Sequence, residues 1–391
     1  MQSIKLFIFL AAVLFCQQSL AQQTPQDEVD IKSYALYEKG AWKELLQYGK
    51  TSIAAGQDFT LLRLRMAYGT FMINNFSEAI RQYEAVLKTD ADNATAHYYT
   101  WLCRKYLNQY ELAGQQVKYL SAEVIESAKL KPIALTTAGI ESSYKYTDVT
   151  PRGNAFYTRV DADLRLGWRM NMLQSVGIYN QTIAEPKFLT VTNNNNISID
   201  QKEYYNRTTI NLNSKWQMKL AYHFLNTPFN NYAYNNHIGL LGFQYFGHYF
   251  DVKADAIFSK LTDSSRQQYN VQLALYPLGN LNFYTFSTGS LRSTNSGSFN
   301  YKQVIGFKLL KQTWGELNGT FGRFSNLIEN EGMYVYNAID INKIKVGGTL
   351  YISLSPHILA QVGYTFEQRE LYQTSSSFNQ HSITGGLSWK M

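Results

Sequence analysis

Phe156, Thr158, Val160, Ala162, Leu164, Leu166 and Trp168 are apolar or nearly so, and Tyr157, Arg159, Asp161, Asp163, Arg165 and Gly167 stand between them. A period of two puts the first set on one face of a sheet and the four charges on the other. The pattern recurs, in segments of roughly ten to twelve residues, from about residue 135 to the last residue. No segment approaches the roughly 18 apolar residues of a membrane helix. Short strands that are apolar outward and polar inward spell a transmembrane β-barrel.

The alternation predicts strands at 135–147, 155–168, 172–184, 203–214, 216–226, 235–246, 249–259, 267–276, 280–290, 299–310, 313–324, 343–354, 358–369 and 380–390. Odd-numbered connections read as long and polar, around Pro151, Asn193 to Asn196, Pro228, Asp263, Asn295, Asn330 and Ser375. Even-numbered ones read as tight, at Met170, Lys215, Gly247, Pro277 to Asn280, Lys311 and Pro356. Long loops outside and tight turns in the periplasm are the habit of bacterial barrels. With both ends periplasmic the count is even; about fourteen fits, and twelve or sixteen stay open. Met333 to Asp340 looks like a strand but must be loop for the parity to hold. Pro132, Pro151, Pro186, Pro228, Pro277 and Pro356 all fall outside these strands, as a missing ladder donor demands. Trp168, Trp216, Trp314 and Trp389 lie at short-turn ends, which predicts an interfacial girdle.

Ahead of the barrel, Lys5 precedes an apolar run from Leu6 to Phe15, and Ser19-Leu20-Ala21 offers small residues for cleavage. This reads as a secretory signal peptide over 1–21, too short to span. Its removal takes away Lys5 and Cys16, lowering the net charge of +7 to +6 and leaving Cys103 alone. No internal disulfide can then form, and Cys103 reads as a small buried helix residue. Phe15 before Cys16 is bulky where lipidation needs a small residue. A dispersed charge of this size carries no nucleic-acid signature. Aromatic content of 15%, with 30 Tyr, is ordinary for a barrel with interfacial belts.

Residues 22–131 carry a repeat. Gly40-Ala41-Trp42-Lys43-Glu44-Leu45 is followed 34 residues later by Asn74-Asn75-Phe76-Ser77-Glu78-Ala79, and again by Asn108-Gln109-Tyr110-Glu111-Leu112-Ala113. Each copy is a turn between two helices: a residue tolerant of left-handed backbone (Gly40, Asn74, Asn108), an aromatic (Trp42, Phe76, Tyr110), then a small apolar residue (Ala79, Ala113). A 34-residue period with this content resembles the tetratricopeptide repeat, whose stacks present a concave face to protein partners. Leu45, Trp101 and Arg104 depart from the pattern. Residues from Ser121 to Pro132 read as a linker or a helix entering the barrel mouth.

The expected architecture is therefore a short helical, tetratricopeptide-like solenoid (22–131) followed by an antiparallel transmembrane β-barrel (132–391). Signal peptide, repeats, barrel and a Val335-Tyr336-Asn337…Asp340 segment before a late strand together resemble the YaiO-type outer-membrane barrels of Gram-negative bacteria. The same order of parts occurs in larger exopolysaccharide exporters. Resemblance to these implies repeats in the periplasm docking a periplasmic or inner-membrane protein, with the barrel in outer-membrane lipid passing a saccharide.

The inward positions carry Arg159, Asp161, Asp163, Arg165, Arg207, Lys219, Asp251, Lys253 and Asp255, with Glu141, Lys145, Lys302, Lys308, Glu367 and Arg369. Such a mixed-sign wall solvates a polar pore or closes it through salt bridges. Fourteen strands leave space unless loops or residues 121–134 fill it. A conduit for polar solutes is the leading expectation; a non-conducting scaffold, a general porin, and a receptor acting through surface loops at 186–202, 325–342 and 370–379 are the alternatives. The barrel histidines His223, His237, His248, His357 and His381 accompany no hydrolase or metalloprotease motif. Neither catalysis nor a cofactor is expected.

Overall fold

Alternating strands of this kind satisfy every backbone donor only if the sheet closes on itself, and it does. The computed structural model describes residues 25–149, 152–184, 196–229, 232–262, 264–293, 298–336, 340–372 and 374–391. The signal segment with Cys16, and Pro151, Pro186, Asn193, Asn295 and Asn337, lie outside the described residues.

Two compact units divide the chain between Tyr99 and Thr100. The first contains α1 (Pro25–Glu38), α2 (Trp42–Ala54), α3 (Thr60–Met72), α4 (Phe76–Thr89) and the start of α5 (Ala94–Tyr106). Gly40 and Asn74 turn the chain with φ of +65° and +60°, a conformation Gly and Asn adopt at least cost. Trp42 packs edge-on against Tyr37 and Tyr68, and Phe76 against Phe71. Ala79 is wholly buried. Asn75 caps α4 by accepting from the Glu78 N–H at 3.1 Å. None of the described helices is long and apolar enough to cross a membrane.

The second unit joins residues 100–131 to the barrel. It holds the end of α5, α6 (Tyr110–Gly114), α7 (Ala122–Ser127), and strands β1 (Ile133–Thr147), β2 (Arg152–Leu166), β3 (Met170–Ala184), β4 (Asn196–Asn211), β5 (Trp216–Phe229), β6 (Tyr232–Phe246), β7 (Phe250–Leu261), β8 (Ser264–Leu275), β9 (Phe283–Arg292), β10 (Ser298–Leu310), β11 (Thr313–Phe324), β12 (Ile328–Glu329), β13 (Tyr334–Val335), β14 (Ile341–Ser353), β15 (Ile358–Glu370) and β16 (Ser377–Lys390). Among the described residues fourteen strands close the barrel, and β12 and β13 pair only with each other. Of the strand-like stretch at 333–340, the described residues 333–336 and 340 stand outside the wall, and β11 pairs directly with β14, Trp314 opposite Tyr351. β1 meets β16, Ile140 opposite Leu387, to close the ring.

Two expectations need correction. The connections after β5 and β7 are tight, because Phe229 pairs with Tyr232 and Leu261 with Ser264. Pro228 consequently lies within β5, opposite Ala233 and next to the strand's end. A missing donor there costs one terminal rung.

Alternate positions divide as the period requires. Val160, Val176, Leu220, Leu241, Val271, Leu317, Val362 and Leu387 are exposed on the outer face. Arg159, Lys219, Asp255 and Glu367 are buried on the inner one. At the short-turn rim, residues 100–120 dock on the barrel. The Arg104 guanidinium donates to Gln109 Oε1 (2.8 Å) and to the Ser214 carbonyl (3.0 Å), and Gln115 donates to the Asn213 carbonyl (2.8 Å). Asn211 donates to the Glu111 carbonyl at 2.7 Å. Gly114 is needed here: a Cβ would stand 3.1 Å from the Trp168 carbonyl oxygen. Asn108 turns the chain with φ +56°; Tyr110 meets Lys390, whose ammonium lies 5.3 Å from the ring, and Ala113 is buried. Burial pushes the Cys103 thiol up, out of the range in which it would react. No side chain of α7 is buried, so this helix does not fill the lumen.

Candidate functional site in the barrel lumen

The connection from β11 to β14 reads from its sequence as a long polar loop, and in the receptor alternative as part of the exposed surface at 325–342. Instead, residues 325–336 fold back into the barrel. Ile328–Glu329 and Tyr334–Val335 form a short hairpin whose tip, Asn330–Gly332, carries positive φ at three successive residues: +48°, +59° and +91°. Glycine tolerates that backbone; asparagine pays little and glutamate more. Something must hold Glu331 there.

Three strands do so. The Glu331 carboxylate, 8% exposed, receives Lys219 from β5 at 2.5 Å, Arg207 from β4 at 2.6 Å and Lys253 from β7 at 2.9 Å. The Tyr205 hydroxyl donates to the Glu331 carbonyl at 2.9 Å, and His223 Nδ1 lies 2.8 Å from the Gly332 carbonyl oxygen. Glu329 is held by Lys302 of β10 at 2.7 Å and Lys345 of β14 at 2.8 Å. Lys345 also reaches the Tyr336 hydroxyl. Neither glutamate is on a spanning strand. Burial alone would raise the Glu331 carboxyl, but Lys219, Lys253 and Arg207 together hold it well below the usual carboxylate range. For Glu329 burial is likewise overcome, by Lys302 and Lys345, to about 2.

The hairpin is also anchored by backbone and apolar contacts. Gln268 donates to the Ile328 carbonyl (2.6 Å) and accepts from its N–H (3.1 Å), as a neighbouring strand would. Ile328 itself is buried among Leu225, Ile238, Leu240, Ile257 and Leu261, with Ala221 and Val335 at the edge. On the opposite wall the Tyr334 hydroxyl donates to Glu141 at 2.8 Å, and Arg159 lies over its ring at 4.7 Å. At the loop's far end Arg152 grips Asp340 through Nε (2.6 Å) and Nη2 (2.8 Å).

The predicted inner residues therefore separate into groups. Arg207, Lys219 and Lys253 converge on one carboxylate. Arg159 stands 3.6 Å from Glu141 and 3.7 Å from Asp161. Asp255 lines a cavity of about 90 Å³ with Lys253, Asn270, Gln272, Phe286, Thr288, Ser290, Asn300, Lys302 and Thr320, bordered by Glu329 to Glu331. Asp251 accepts from the Tyr276 hydroxyl at 2.9 Å. Arg165 donates to the Lys131 carbonyl near the short-turn rim, at 3.3 Å, and covers Trp168, while Asp163 stands half-buried on the same face of β2. Glu367, higher on β15, collects Arg369, Asn342 and Gln380.

Of the tryptophans, Trp216 and Trp389 are exposed on the outer face. Trp314 shares the inner parity of Glu316 and faces Lys308 at 5.1 Å. Trp168 sits in the β2–β3 turn under Arg165. The girdle reading fits the first two only, since strand parity turns Trp314 inward.

Glu329, Glu331, Tyr334 and Gln268 were not foreseen as site residues. A signal existed: Leu225, Ile238, Leu240, Ile257 and Leu261 occupy inner positions where a water-filled lumen wants polar groups. Among the described residues no grouping of His, Cys, Asp and Glu is fit to hold a metal.

No protein-family profile matches the chain, and no curated protein matches it. Similar solved structures include a bacterial polysaccharide outer membrane secretin (8% identity, TM-score 0.40, covering 66% of this chain and 98% of that one). The Pseudomonas putida toluene transporter TodX (8%, TM-score 0.43, 66% and 89%) and Acinetobacter baumannii outer membrane protein Omp33 (6%, TM-score 0.39, 66% and 99%) are others. Likenesses at this level bear on neither substrate nor mechanism.

Proposed function

We propose that the chain is an outer-membrane channel of porin type for polar solutes, closed by its own β11–β14 loop acting as a retractable plug. One observation carries the reading: the Glu331 carboxylate, on a backbone of unfavourable φ, is held by contacts to the wall, chiefly Arg207, Lys219 and Lys253. A group placed against a local preference of about 1–2 kcal/mol stays there because its surroundings over-determine it. Releasing those contacts relieves the backbone and rehydrates three cations, so withdrawal has compensations that unfolding a wall strand lacks. The outer apolar positions, with Trp216 and Trp389 at the short-turn end, support placement in outer-membrane lipid.

Turns of the same kind at Gly40, Asn74 and Asn108, 34 residues apart, support a tetratricopeptide-like stack for docking a periplasmic or inner-membrane protein. A plain diffusion pore has no use for such a stack. Export of a polysaccharide delivered by that protein is the finer form of this reading.

Full-length protein reconstituted in planar bilayers tests it. Wild type is expected to be mostly closed with brief openings, and Glu331→Gln to be open for a much larger fraction of the time. Replacing the carboxylate leaves three cations facing an amide, a loss of about 3–5 kcal/mol for sites that stay dry and less where water enters. Silence of both proteins, with heat-modifiable gel mobility proving them folded, would favour a scaffold or receptor. Steady wide conductance in wild type would favour a general porin.

A further inference from the structure

We propose that Lys219, Lys253 and Arg207, with Lys302 beside them, form the binding site for a carboxylate-bearing saccharide, and that Glu331 occupies it as an internal substitute in the closed state. The inference rests on the conduit reading above and adds a substrate class to it.

With the plug subtracted, the wall carries an arc of inward cations. The five cations on Glu331 and Glu329 come from five different strands, β4, β5, β7, β10 and β14. A plug needing only to fill space has no reason to meet cations; apolar packing of the kind around Ile328 would suffice. Burying cations without an anion is costly, so this wall is built for a carboxylate at that point. Glu331 supplies one in the closed state, and its departure creates the vacancy for another. Concave sites lined by one sign of charge concentrate counter-ions.

The space beside the tip carries the second half of the recognition. The cavity of about 90 Å³ places Lys253 and Lys302 next to Asn270, Asn300 and Ser290, with Phe286 supplying an apolar face. Ammonium groups match a carboxylate. Amides and hydroxyls match sugar hydroxyls, and a flat ring matches the C–H face of a pyranose. A free inorganic anion would use the ammonium groups and the amide and hydroxyl donors but not the apolar ring face.

Planar-bilayer recording of the full-length protein separates the possibilities, with glucuronate, acetate and glucose as probes. In wild type, millimolar glucuronate is expected to compete with Glu331 and raise the open fraction several-fold above equal acetate or glucose. Since no residue is changed, misfolding cannot intervene. In a KCl gradient Glu329→Gln/Glu331→Gln is expected to show an anion-selective reversal potential. Adding Lys219→Gln and Lys253→Gln should lower the anion-over-cation permeability ratio on the order of tenfold. A conducting double variant that is cation-selective or unselective overturns the anion site and leaves the conduit standing. Responses to acetate or glucose equal to that for glucuronate overturn the saccharide assignment. Absence of current from every folded variant overturns the conduit reading and this proposal with it.

Discussion

Ile328→Ala isolates the plug from the wall that holds it. Ile328 is 3% exposed, and its side chain fills an inner apolar patch made by Leu225, Ile238, Leu240, Ile257 and Leu261. Removing three carbons from such a site costs the lost transfer free energy plus that of the cavity left behind, about 2–3 kcal/mol at the lower end of measured core truncations. None of this is charged to the barrel, because Ile328 pairs only with Val335 and no rung of the wall ladder is touched. The whole loss therefore falls on the closed state. At 1.4 kcal/mol per factor of ten, the open-to-closed ratio should rise about 30- to 140-fold.

Two readouts test that number. The open fraction in bilayers should increase by this factor until it saturates. Thr320, 1% exposed and lining the cavity against the plug, provides the second as Thr320→Cys. Its labelling by a membrane-impermeant maleimide should accelerate in proportion to opening. Cys103, being buried, contributes no background. Heat-modifiable mobility should be unchanged. Unchanged labelling and unchanged current in Ile328→Ala would refute the idea that the apolar patch anchors a plug, and would leave the loop as a fixed part of the wall.

Val160, 44% exposed and central in β2, should tolerate no charge: Val160→Arg is expected to cost about 2–4 kcal/mol and to deplete folded barrels in insertion assays. Leu164→Arg, near the short-turn end of the same strand, should cost about 0–1 kcal/mol, so equal penalties would show the membrane to be misplaced. The third expectation concerns acid. Glu329 and Glu331 titrate below the ordinary 4.5 when the plug is seated, so their pairing is complete above that value. It is lost as the pH falls from about 4.5 toward the seated value of about 2 for Glu329. The open fraction measured at stepped pH should rise in that window and should not rise in Glu329→Gln/Glu331→Gln.

The strand order and the faces were legible because they are local. A period of two decides which side of the sheet each residue faces, and turn length decides the parity of the count. An even count is why 333–340 reads as loop in a fourteen-strand barrel, although twelve and sixteen stay open until β11 is seen to pair with β14. Where the reading slipped, the cause was non-local. The β5–β6 hairpin runs up to Phe229 because its residues find cross-strand partners, whatever Pro228 suggests about a boundary. Trp314 was assigned by its position along the strand, when its parity with Glu316 decides its face.

The plug was the least legible feature, and for a definite reason. Glu331 meets its nearest cation, Lys219, 112 residues earlier in the chain, and no spacing rule links them. A one-sided pattern describes a wall with water inside, so inner charges read as solvated. Yet the same wall carried a contradiction in plain view: five aliphatic residues at inner positions of β5, β6 and β7. Water does not favour them there, and a lumen that stays open cannot cover them. Apolar inner positions on three adjacent strands therefore require an occupant with an apolar residue. A nearby arc of inner cations requires that occupant to carry acid. The β11–β14 connection supplies Ile328, Glu329 and Glu331 within four consecutive residues, and its length is what allows it to reach inside. Wall and loop each make physical sense only in the presence of the other.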